Sequence, residues 1–153
     1  MANDVFNIAR GRIGYYATQA GVGNAAFIVV LLQNTGLEAD DTLNNHDTLA
    51  AVLAAANTEC DFTNYARTVI TSVTPDLDDT ANTLDEVIGN LVYTDAGNGT
   101  NNTISKILVC FDADTTGGTD ANIVPLTYHD ASVTTDGSTV TFTEDAAGFW
   151  GSA

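Results

Sequence analysis

Two histidines, His46 and His129, and two cysteines, Cys60 and Cys110, are the imidazoles and thiols of this 153-residue chain. None stands in an arrangement that makes a reaction centre. No serine or cysteine lies in a Gly-x-Ser-x-Gly elbow, so a hydrolase triad has no local support. His129 sits between Tyr128 and Asp130. It reads either as a pH-responsive His–Asp pair or as a solvated strand end, and the second is the commoner case. The cysteines lack metal-ligand spacing. Cys110 falls inside an apolar run and is expected to be a buried free thiol, while pairing with Cys60 stays open. Asp112, Asp114, Thr116, Gly117 and Asp120 match the first half of a calcium loop, but Ile123 stands where a bidentate glutamate belongs. Asp112, Asp114 and Asp120 are therefore a weak calcium candidate, and no other metal site is expected. No glycine-rich loop leads into a helix to cradle phosphate. The expectation is a protein without catalytic residues or cofactor.

The elements that place these groups follow from periodicity. Ile107 to Phe111 is a short apolar run bounded by polar clusters, as in a strand buried on both faces. Gly117-Gly118 gives the reversal, and Ile123 to Leu126 starts the return strand. Pro125 lacks an N–H, so this strand is expected to lie at an edge or to end there. Phe27 to Leu32 is another strand. A helix is expected from an Asp47 cap, with Leu49, Val52, Leu53 and Ala56 on one face and Asn57 closing it. Residues 38–43 read as an acidic loop, 68–74 as a strand ended by Pro75, and 76–84 as a second acidic loop. Residues 85–93 read as a strand bulged at Gly89. Alternation on both sides of Asp136-Gly137-Ser138 predicts a hairpin between 131–135 and 139–143. The sum is a mainly β chain, a β-sandwich or barrel with one short helical insertion.

Charge bounds the partners. Twenty acids against four bases give a net charge of −16. Arg10, Arg12, Arg67 and Lys106 cannot form the basic stripe that nucleic acid requires. An anionic membrane surface is disfavoured for the same reason, and no apolar run reaches the roughly 18 residues of a membrane span. The start, MANDVFNIARGR, lacks the long apolar region of a signal peptide, so secretory export is not expected.

Residues 1–24 read as an amino-terminal docking arm, and 25–153 as a single β-rich domain. Gly11, Gly14, Gly21 and Gly23 interrupt the apolar pattern of the arm, which holds half of the positive charge. Aromatic and arginine side chains are the types that dominate interface energetics. The expected interface residues are Phe6, Arg10, Arg12, Tyr15 and Tyr16, with Arg67 and the tail aromatics Phe149 and Trp150.

Several segments together resemble a family of small virion structural proteins of tailed bacteriophages. They are MANDVFNIARGR, FIVVLL with TGLEADDTLNNHDTLAAVLAAAN, FTNYAR, CFDADTTGGTDANIVPLTYHD with VTTDG, and the terminal AAGFW. Residues 14–24 and 76–100 depart from the family pattern. The resemblance implies a virion location, most simply as a capsid decoration or cement protein on the head exterior, made in the host cytoplasm. The implied partners are the major capsid protein and copies of the chain itself, with the three arginines meeting carboxylates on the shell. A tail-tube or neck component, or a fibre or receptor-binding module, is the alternative.

Overall fold

Strict alternation in Ala26–Gln33 gives β2 two apolar faces. Phe27, Val29 and Leu31 enter one core; Ile28, Val30 and Leu32 enter the other. Such a strand is stable only with cover on both sides, and the rest of the chain supplies it. The computed structural model describes residues 3–80, 83–144 and 149–152. Parts of the expected arm, second acidic loop and tail (1–2, 81–82, 145–148 and 153) lie outside the described residues.

The main sheet is antiparallel, in the order β1-β8-β7-β2-β3. Its strands are β1 (Asn3–Val5), β2, β3 (Thr68–Ile70), β7 (Thr103–Asp112) and β8 (Val124–Thr134). One face is covered by α2 (Asp40–Leu43) and α3 (Leu49–Ala54) through Leu43, Leu49 and Val52. The other face is covered by α1 (Ile13–Gln19) and by the ribbon of β6 (Leu91–Tyr93) with β9 (Val140–Phe142). A third sheet, β10-β5-β4, is formed by β4 (Thr74–Asp78), β5 (Thr83–Val87) and β10 (Trp150–Ser152). The fold is mainly β and sandwich-like, with 34% strand against 17% helix.

The hairpin of β7 and β8 forms as the sequence predicts. Two register shifts, between Ile104 and Lys106 and between Val109 and Cys110, change which side chains meet each core. Ile104 thereby joins the core of Val109, although simple alternation from Leu108 would put it opposite. Pro125 does not end its strand, but among the described residues it stands where β8 has no strand on its outer side, a local edge of the sheet. It is the second residue of β8, opposite Cys110 at the shift, and β1 reaches only as far as Thr127. The missing donor thus falls where the ladder is already irregular.

Other expectations are corrected. The helix begins one residue later than expected, because Thr48 rather than Asp47 caps it, its hydroxyl accepting from Ala51 N at 3.1 Å. Helical content is spread over three short helices. The acidic loop at 38–43 contains α2, and the arm contains α1. Of the expected loop at 76–84, residues 76–78 and 83–84 are instead strand, within the antiparallel pair β4 and β5. Pro75 lies inside β4, at the edge of its sheet, where a missing N–H is tolerated. Gly89 (φ +82) does not bulge one strand; it separates β5 from β6. The turn at Asp136-Gly137-Ser138 exists, its Asp136 carboxylate accepting from the Ser138 amide and hydroxyl. Its two arms do not pair, since β8 continues along β7 while β9 joins β6.

Candidate interaction surface and groove

Residues 3–24 are packed against the body. Phe6 is fully buried, edge-on to Tyr128 at 5.5 Å, and its amide donates to Leu126 O. Ile13 and Ala17, one helical turn apart, fix the inner face of α1. Tyr16 lies on Phe111, with ring centroids 4.8 Å apart. Gly21 closes the segment with φ +81, and a Cβ there would meet Thr71 O at 2.2 Å. No side chain fits that approach.

The outer face of α1 is defined by the same spacing. Arg12 and Tyr15 stand three residues apart and point away from the core, with Arg10 and Val22 exposed nearby in the chain. Tyr15 is 63% and Val22 60% exposed, two of the most exposed large apolar side chains among the described residues. Arg10 approaches Asp4 at 3.6 Å, a loose surface pair. Arg12 meets no carboxylate among the described residues.

The other two cations face inward. Arg67 donates from Nε and Nη2 to both oxygens of Glu59, and from Nη1 and Nη2 to both oxygens of Asp120. These hydrogen bonds raise its pKa and hold the Asp120 carboxyl below its usual range. Tyr65 extends the network, donating to Glu59 at 2.8 Å and accepting from Leu31 N. Arg67 is therefore already occupied and is not available to a partner's carboxylates. The Lys106 side chain is 4% exposed, with Nζ between Asp40 and Asp130 and over the Tyr128 ring. Burial alone would lower its pKa; hydrogen bonds to Asp130 and Asp40 outweigh that and raise it. Sequence reasoning did not find this clamp, although a lone lysine at an inward position of a strand was the available signal.

The tail aromatics are not both outward. Phe149 is buried, edge-on to Phe27 at 5.5 Å; Trp150 is half-buried and packs against the same core. At the hairpin tip, the calcium-like carboxylates serve other roles. Asp112 accepts from Asp114 N, Asp114 accepts from the Thr116 amide and hydroxyl, and Asp120 holds Arg67. No group of three or more metal-ligating side chains is assembled among the described residues.

The remaining reactive groups are enclosed. Cys60 and Cys110 are both free and buried, and they belong to opposite cores. Burial pushes the Cys60 thiol up to about 12 and the Cys110 thiol higher still, so neither is a nucleophile near neutral pH. His129 is half-buried with Nε2 at 3.0 Å from Thr127 Oγ1, and burial lowers its pKa, so the ring is neutral at neutral pH. His46 Nε2 meets Glu38 at 2.8 Å, and Asn57 donates to the same carboxylate and to Val52 O. That cluster joins the approach to α2 with the end of α3.

A groove of about 450 Å³ opens between residues 129–133 of β8 and residues 141–144 at β9. Its apolar lining includes Ile88, Ala131, Val133 and Phe142 with Ile107, over the buried Leu91, Val109 and Phe149. Glu144 lines it too, its carboxylate accepting from the Ile88 and Gly89 amides. No helix among the described residues is long and apolar enough to cross a membrane. No protein-family model, curated protein or solved structure matches this chain.

Proposed function

We propose that the protein is a virion structural subunit of a tailed bacteriophage, a decoration or cement protein that adheres to the head shell through the outer face of α1. One observation carries this reading. In a chain of net charge −16, the two cations not enclosed by carboxylate pairs, Arg10 and Arg12, lie beside an exposed tyrosine on one short segment. Such a surface fits an acidic protein face bearing an apolar recess. Tyr15 would bury ring area there, and the arginines would pair with carboxylates at its rim. Each contact is small, but many subunits on one shell add their interface energies and resist internal pressure together. The acidic remainder faces water and repels DNA and other acidic surfaces.

The test is reconstitution. Purified protein is added to particles that lack it, and bound copies are counted by quantitative gel. Saturation at a number set by shell symmetry, with heat resistance restored, is expected. Arg12→Glu together with Tyr15→Ala should cut binding at least tenfold. Failure of the native protein to bind, or particles equally heat-resistant with and without it, overturns the reading.

A further inference from the structure

We infer that Lys106 and Asp130 condense into an isopeptide bond that staples β7 to β8, with Asp40 carrying the proton. This inference rests on the buried clamp alone and not on the α1 surface. The ion cluster described above is the precursor, and the bond forms from it in the folded chain.

The three groups that such a reaction needs stand together. Lys106 and Asp130 are cross-strand partners on β7 and β8, and Asp40 reaches in from the start of α2. Nζ lies 2.5 Å from Asp130 Oδ1 and 2.7 Å from Asp40 Oδ1. The Asp130 carboxyl carbon, one bond beyond its oxygen, falls within about 3.5 Å of the nitrogen, the range of a near-attack pair. The amine is the most enclosed of the three, set over the ring of Tyr128, which is itself buried against Phe6. Both carboxylates keep an exposed side, through which the released water leaves.

The second carboxylate is what turns an ion pair into a reactive set. The Lys106 ammonium passes one proton to Asp130, giving a neutral amine beside a carboxylic acid. Nζ then attacks the Asp130 carboxyl carbon. Asp40, still ionised, takes a proton from the attacking nitrogen and hands it to the departing hydroxyl. The Nζ–Cγ bond forms, a Cγ–O bond breaks, one water leaves, and the cluster keeps the same charge throughout. Asp130 is the acceptor because the β7–β8 ladder fixes its backbone opposite Lys106, whereas Asp40 opens a four-residue helix. Burial works against the ammonium, but the two carboxylates favour it and prevail. The neutral amine is therefore a minor form, which suits a bond made once and slowly. The product pins β7 to β8 beside the register shift after Ile104.

The test is the intact mass of the purified full chain, folded and incubated for days. The expected mass is one water below that of the sequence, with no tryptic cleavage after Lys106 and fragment ions joining Lys106 to Asp130. Asp130→Asn should lose ammonia in place of water, because an amide acceptor releases its nitrogen. Asp40→Asn should slow bond formation about a hundredfold, as for removal of a proton carrier. Lys106→Arg keeps the charge and should keep the full mass; if it does not fold, the ammonia loss of Asp130→Asn decides. Full mass in the incubated native chain overturns the inference. So does a water loss that maps to a cyclic imide at Asp136-Gly137 or to an amide at Asp40.

Discussion

Arg67 and Lys106 are each gripped by two carboxylates, whereas Arg12 meets none among the described residues and Arg10 meets one at 3.6 Å. The inner pair and the outer pair share a chain in which acids outnumber bases five to one, 20 against 4. Their difference is therefore one of position, not of scarce partners. Each inner cation joins segments distant in sequence: Lys106 ties α2 and β8 to β7, and Arg67 ties the loop at Glu59 to the hairpin tip at Asp120. Among the described residues the outer pair ties no distant segments together, since Arg10 reaches only Asp4 in its own segment. A cation buried between carboxylates relieves their repulsion and holds the fold; one left beside an exposed aromatic serves contact with something else.

The largest break in that contrast is Lys106→Met. It removes the ammonium that Asp40 and Asp130 share and the charge over the Tyr128 ring. Losing one partner of a buried pair costs about 3–5 kcal/mol, and partial exposure of the two carboxylates places this case near the lower end. Thermal unfolding should fall by roughly 6–12 °C for a chain of this size.

Arg67→Met comes next, at about 2 kcal/mol, because Glu59 and Asp120 keep partial access to water. It also carries a pH signature. Asp120 has a folded pKa below its ordinary value, so its contribution is present above that value and is lost as pH falls through the lower folded one. Glu86 works in the opposite direction. Burial raises its pKa, so its contribution is present below the ordinary glutamate value and lost as pH rises through the raised one. Urea unfolding between pH 5 and pH 2 should show a smaller acid-side loss in Arg67→Met than in the native protein. An unchanged acid limb would mean that the Arg67–Asp120 pair does not hold the tip.

How much of this was legible depended on which physical signal each residue carried. β2, β7 and the start of β8 announced themselves, since a buried strand needs a dense branched run and little else matches it. α1 was hidden because Gly11, Gly14, Gly21 and Gly23 break the pattern, although Ile13, Tyr16 and Ala17 hold the inner spacing. The β4–β5 hairpin was hidden by Asp76, Asp78 and Asp79, which read as loop. Alternation fixes faces but not partners, so residues 139–143 were recognisable as a strand while its pairing with β6 was not. The interface residues divided for a related reason. Residue type marks Phe6, Tyr15 and Phe149 alike as aromatic anchors; only packing separates the exposed Tyr15 from the two in the core.

The smallest expected effect is the most discriminating. Arg12→Glu reverses a charge that no described carboxylate balances, so stability should change by no more than about 0.5 kcal/mol, as for an ordinary surface substitution. Tm by calorimetry should move by less than roughly 2 °C. Lys106→Met, by contrast, shifts melting while leaving the α1 face chemically intact. If Arg12→Glu melts as far below the native protein as Lys106→Met does, Arg12 belongs with the inner cations and the outer face has no separate role. If the two variants differ as expected, a loss of shell binding in Arg12→Glu is traceable to the surface itself and not to unfolding.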